Sequence, residues 1–143
     1  MRTIQAHLIL PPDTNHHGTI FGGKVLAYID EVAAITSMKH AGSNTVTVSI
    51  DSVDFLSPAR VGDLLELEGR VVYTGKTSIT VFVRVTAFQV DTGKSTLTTE
   101  SFVTMVAVDE NGKPRQVPQV KIQTEEDRLL HEQVKLRRKL KNR

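Results

Sequence analysis

Two carboxylates, Asp30 and Glu31, interrupt a stretch in which Val25, Leu26, Tyr28, Ile29, Val32, Ala33, Ala34, Ile35 and Met38 cover nearly every direction around a helix of about 3.6 residues per turn. A helix apolar almost all round is buried on most sides, and a carboxylate there is costly unless it is paired, hydrogen-bonded or put to use. Gly22-Gly23 opens the helix, and a backbone without side chains lets another group approach free N–H donors. Asp30 lies seven residues beyond Gly23, two turns or about 10 Å along the same face, with only Ala27 between them. A carbonyl held over the Gly22-Gly23 amides would sit at the positive end of the helix dipole, where oxyanion charge is stabilised. Asp30, from the same chain or a partner, could then act as base or nucleophile. A buried structural hydrogen bond would account for Asp30 equally well. Glu31 points about 100° away and is read as structural.

Other chemistry-bearing residues carry weaker signals. The adjacent His16 and His17 could bind a metal or act as a base, but no Asp, Glu or His stands at convincing ligand spacing, so no metal site is assigned. A hydrogen-bonded loop is the favoured reading for both, and Asn15 beside them could position a water or a carbonyl. Gly75-Lys76-Thr77-Ser78 offers small residues, hydroxyls and one cation, enough to accept a phosphate, although most such turns are only turns.

The elements that must position these groups follow from periodicity. Arg2 to Leu10 reads as a first strand ended by Pro11-Pro12. Ala41-Gly42-Ser43-Asn44 closes the helix with a glycine signal. Beyond it the period changes to two. Thr45 to Phe55 places Val46, Val48 and Ile50 on one face, then shifts phase to Val53 and Phe55, predicting a bulge near Asp51-Ser52. Strands through Leu65–Tyr73 and Ile79–Ala87 follow, with turns at Gly75-Lys76-Thr77 and Asp91-Thr92-Gly93. Ser95 to Val108 is almost wholly apolar from Phe102 and is expected to be central. Thr124, followed by Glu125, Glu126 and Asp127, marks the start of a final helix with a modest apolar side. The fold class is therefore α+β, a curled antiparallel sheet of about five strands around one long helix, plus a C-terminal helix. One side of the helix and an edge strand would stay uncovered, which predicts side-by-side dimerisation through sheet and helix.

At 143 residues, 39% hydrophobic and 24% charged, the chain suits one soluble domain, divided here into 1–120 and a C-terminal helix with basic tail at 121–143. No apolar run approaches the roughly 20 residues that span a bilayer, and Met1 to His7 lacks the apolar core of a secretory signal, so a cytoplasmic location is expected and no membrane partner. With no cysteine, disulfides and thiolate chemistry are excluded. The net charge of +2 hides an asymmetry. Lys135, Arg137, Arg138, Lys139, Lys141 and Arg143 carry six charges, and the remaining body holds 12 basic against 16 acidic residues, a net −4. The basic balance thus belongs to the tail, and no aromatic interleaving supports nucleic-acid binding.

Pro12 to Gly23, followed by Tyr28-Ile29-Asp30-Glu31-Val32-Ala33, resembles the acyl-CoA hydrolases of the hotdog fold, in particular the brain-type acyl-CoA thioesterases and their short bacterial relatives. Val46-Thr47-Val48, Asp54 to Pro58 with Val61-Gly62-Asp63, and Phe102 to Asp109 extend the likeness, which runs from about Arg2 to Pro118. The resemblance implies hydrolysis of fatty acyl-CoA to free acid and CoA, with coenzyme A as part of substrate and product and no other cofactor. It makes Asp30 the catalytic carboxylate, Asn15 its partner from the opposite subunit, and Gly23, beside Gly22, the amide that polarises the carbonyl. Gly75, Lys76, Thr77 and Ser78 correspond to a region that holds CoA. Homodimers with shared active sites, assembled as trimers of dimers, are implied. Two rivals remain: a hotdog dehydratase using His16 or His17 with Glu31, and a module that binds acyl-CoA without turnover.

Overall fold

The stretch of two-residue periodicity folds into a single antiparallel sheet. A computed structural model describes residues 2–141, so Met1, Asn142 and Arg143, the last of the six tail cations, lie outside the described residues. The order is β1 (Arg2–Leu8), a short 3-10 turn (Pro11–Asp13), α1 (Gly22–Ala41), β2 (Thr45–Phe55), β3 (Leu64–Thr74), β4 (Ser78–Phe88), β5 (Ser95–Ala107) and α2 (Glu125–Lys141). In space the strands run β1-β3-β4-β5-β2, which leaves β1 and β2 as edges. Strand β5 is interior, as its apolar run requires, although β4 is the middle strand.

Helix α1 lies on the inner face. It ends at Gly42 in the left-handed conformation (φ 69°), whose N–H returns to the Met38 carbonyl at 2.9 Å. Its buried residues Val25, Ile29, Val32, Ala33, Thr36, Ser37 and Ala41 form one stripe at spacings of three and four. The helix packs tightly against β3 at Gly69, where a methyl group would come within 2.7 Å of both Val32 and Thr36. All-round burial is not reached within the chain. Leu26, Ala34, Ile35 and Met38 are half-buried, and Ala27 and Glu31 are exposed.

The outer face of the sheet has its own smaller core, built from Val72, Phe82 and Phe102 with Leu130 and Val134 of α2. Thr124 caps α2, accepting the Asp127 N–H at 3.0 Å. Arg70 bonds Glu126 and, at 2.9 Å, Asp127, tying the first turn of α2 to β3.

Strand β2 departs from simple alternation. Its pairing with β5 slips between Thr47 and Ser49 and again between Asp51 and Asp54, where Ser52 takes a φ of 54°. The second slip is the bulge predicted near Asp51-Ser52. The first moves the phase one residue earlier than the valine pattern implies, so Val46 and Val48 do not share a buried face with Ile50. Val46 is 48% exposed and Val48 60% exposed, while Thr47 pairs with the buried Met105.

Candidate active site

Asp30 projects from the middle of α1 beside β2 and is half-buried. The Thr47 hydroxyl donates to Asp30 Oδ1 at 2.6 Å and lies 3.5 Å from the Met105 sulfur, so strand and helix meet at this carboxylate. No cation pairs with Asp30 among the described residues, and Oδ2 has no hydrogen-bond partner there. One oxygen is therefore fixed and the other available for chemistry. The slip at Val48 turns Thr47 toward the helix. Alternation alone assigns Thr47 to the opposite face from its valine neighbours without saying which face is covered, and no signal but the Val46-Thr47-Val48 likeness marked it.

Two turns earlier, the start of α1 is bare. The N-cap position is Phe21, whose side chain makes no capping bond, and the Gly22 and Gly23 amides precede the first residues that can find an intrahelical acceptor. A methyl group at Gly23 would meet nothing within 4 Å, so a ligand atom has free approach to this amide. Gly22 is covered on one side by the Phe55 ring, 3.4 Å from where a Cβ would stand. An apolar cavity of about 270 Å³ opens next to it, between Ile20, Val25, Phe55, Leu56 and Pro58. Uncapped donors at the positive end of the dipole, next to an apolar cavity, suit a carbonyl oxygen attached to an acyl chain.

Asn15 is not joined to Asp30 by any hydrogen bond within the chain. Its Oδ1 accepts the His17 N–H at 2.9 Å, the Thr19 N–H at 3.4 Å and the Thr19 hydroxyl at 3.2 Å, an Asx-type turn that fixes the side chain in its own loop. Its Nδ2 donates to none of the described residues. His16 and His17 are exposed and pack ring against ring with centroids 3.9 Å apart, and neither meets Glu31 or another acid. Among the described residues no group of three or more His, Cys, Asp or Glu could hold a metal ion.

The Gly75–Ser78 turn stands at the β3–β4 connection, on a different part of the sheet. Its carbonyls are engaged: Lys76 accepts from the Val117 N–H and Thr77 from the Ala107 N–H, both at 3.0 Å. Arg138 of α2 reaches the Ser78 hydroxyl at 3.5 Å. A cavity of about 500 Å³ lies between Lys39, His40, Arg70 and Lys121 and includes neither Asp30 nor this turn. The chain therefore brings Asp30 together with Thr47 and sets the bare helix start on the same face. It does not unite them with Asn15 or with the Gly75–Ser78 turn.

Residues 17–101 match the family model described as the thioesterase superfamily. An uncharacterized acyl-CoA thioester hydrolase of Bacillus subtilis, YkhA, is 45% identical over 130 residues, covering 91% of this chain and 76% of its own length. The crystal structure of an apo hexameric acyl-CoA thioesterase superposes with a TM-score of 0.96 at 65% identity, covering 99% of this chain and 90% of that one. The acyl-CoA hydrolase of Staphylococcus aureus, solved with butyryl coenzyme A and coenzyme A, superposes at 0.92 with 40% identity, covering 99% and 86%. Solved variants of that staphylococcal protein replace an asparagine, an aspartate and a threonine by alanine, in chain order fifteen and then seventeen residues apart. Asn15, Asp30 and Thr47 stand at the same spacing.

Proposed function

The chain belongs to the thioesterase superfamily, and from that premise we propose that it hydrolyses fatty acyl-CoA to free acid and CoA, with Asp30 as the catalytic carboxylate. The observation that carries the assignment is the pairing of a half-buried Asp30, one oxygen held by Thr47, with uncapped glycine amides two turns away on the same face. The thioester oxygen rests on the Gly23 amide, beside Gly22, and the acyl chain enters the apolar cavity next to it. Asp30 Oδ2 removes a proton from water, or attacks the carbonyl directly to give an anhydride that water then opens. By the water route the acyl carbon gains the water oxygen, the C–S bond breaks and Asp30 passes the proton on to the departing CoA sulfur. By the anhydride route the C–S bond breaks as the anhydride forms, and the water that opens it supplies the proton taken up by the CoA thiolate.

Asn15 enters this scheme from a second copy. Its side chain is committed to its own loop and makes no bond to Asp30 of the same chain, so the two meet across a homodimer in which each subunit completes the other's site. The exposed Val46 and Val48 on the β2 edge and the uncovered side of α1 supply the contact surface. Three such dimers form a hexamer, supported by the hexameric state of the structurally similar thioesterase. Gly75, Lys76, Thr77 and Ser78 hold part of CoA. Coenzyme A enters only as part of substrate and product, and the protein works in the cytoplasm, where that substrate is found.

Asp30→Asn tests the assignment. Thiol release from a panel of acyl-CoAs should fall by a factor on the order of 10² or more, with the circular dichroism spectrum and CoA binding retained. Near wild-type turnover in that variant removes Asp30 from the role. A dehydratase reading gains no support from the geometry, since His16 and His17 meet no acid. Absence of thiol release across the whole panel in the wild type would leave a module that binds without turnover.

A further inference from the structure

The apolar cavity beside Gly22 has a fixed inner end and a softer mouth. On the inner side Val25, Ala59 and Thr98 are 1%, 0% and 2% exposed, and Val25 and Ala59 belong to the main core with Ile20, so the cavity stops at packed atoms. Hydrogen bonds hold that end in place. The Ile20 N–H donates to the Ala59 carbonyl at 2.9 Å, the Leu56 N–H to the Thr98 carbonyl at 2.7 Å, and the Ser57 hydroxyl to the Leu97 carbonyl at 2.7 Å. A core packed in this way does not yield to one more methylene without strain.

Toward solvent the lining is Phe55 and Leu56, 54% and 56% exposed. Phe55 ends β2 and is the one aromatic residue among those lining the cavity. Its ring finds room because residue 22 is glycine, and it lies 3.4 Å from the place a Cβ would take. The largest side chain of the lining is thus also one that can change without opening the core.

The volume of about 270 Å³ sets a ceiling on what can be buried. A methylene takes roughly the room of a liquid water, about 30 Å³, so the cavity accepts about nine chain atoms. Each one buried strengthens binding about fourfold. A chain that runs on past the mouth gains nothing further. We propose that the protein selects medium-chain acyl groups of about eight to ten carbons, and that Phe55 is the residue that sets this length. The inference rests on the hydrolase reading, because a thioester held on the Gly23 amide is what lays its chain into this cavity.

The test is kcat/KM for a series of saturated acyl-CoAs of increasing length, measured by thiol release on the full chain. Wild type should peak at about eight to ten carbons. Phe55→Ala joins the cavity to the space the ring occupied and should move the peak to longer chains. Relative to the wild-type optimum, a chain two methylenes longer should gain about tenfold. Phe55→Leu, which keeps the end of β2 apolar, should shift the peak the same way by less, and Phe55→Trp should shift it toward shorter chains. The change belongs in KM, since the chain is held alike in the ground and transition states. A merely structural role would instead lower kcat at every length and leave the shape of the profile unchanged. An unmoved peak in the folded variants, or equal kcat/KM for all lengths in the wild type, overturns the proposal while the hydrolase reading stands. A wild type that releases no thiol at any length sinks the hydrolase reading, and the inference falls with it.

Discussion

At the scale of single residues, the division of labour within Asp30 is the feature that most directly invites a test. Thr47 occupies Oδ1, fixing the carboxylate rotamer and leaving Oδ2 to react. Under the proposed chemistry Thr47 is a positioning residue. Thr47→Val keeps shape and β-branching but removes the donor, and kcat for acyl-CoA should fall about 10- to 100-fold with KM little changed, while Thr47→Ser restores most of the rate. A loss of stability without that split between kcat and KM would make the bond merely structural. Asp30 was legible from the sequence because an acid in an apolar helix is costly. Thr47 was not, because a threonine among valines is ordinary in a strand, and its significance depends on a register slip that pattern cannot locate.

At the scale of elements, most of the architecture could be read from period and punctuation. Gly42 ends α1 and Thr124 caps α2 where their residue types imply, and the bulge falls at Ser52. What could not be read is how α2 docks. Its apolar side is modest, and its placement depends on long-range pairs such as Arg70 with Glu126, separated by 56 residues. The Arg70 guanidinium beside Glu126 holds its carboxyl below the usual glutamate value, with Arg84 adding to the effect. A depressed folded-state value means that the unfolded chain takes up the proton more readily. The contribution is therefore complete above the ordinary glutamate range and is lost as pH falls through the folded value. Urea unfolding of wild type and Glu126→Gln should accordingly differ near about pH 7 and converge as the pH is lowered through the folded value. A gap that stays constant with pH would assign the effect to packing.

At the scale of the whole molecule, the β2 edge with Val46 and Val48 and the side of α1 bearing Ala27 and Glu31 are left uncovered. Under the proposed assembly a charge on that edge should break the contact. Val48→Lys is expected to shift sedimentation from the hexamer toward smaller species and to lower turnover in parallel, since each site borrows Asn15 of the partner subunit. Intact turnover in a dissociated variant would show that the chain completes its own site.

The Asx turn that holds Asn15 in its own loop has a kinetic corollary. If a lone chain cannot bend that side chain back to its own carboxylate, a freshly synthesised copy is silent until it meets another. Specific rate then becomes a function of how much protein is present: dilution below the association threshold should switch the enzyme off with a measurable lag, and concentrating it should switch it on again.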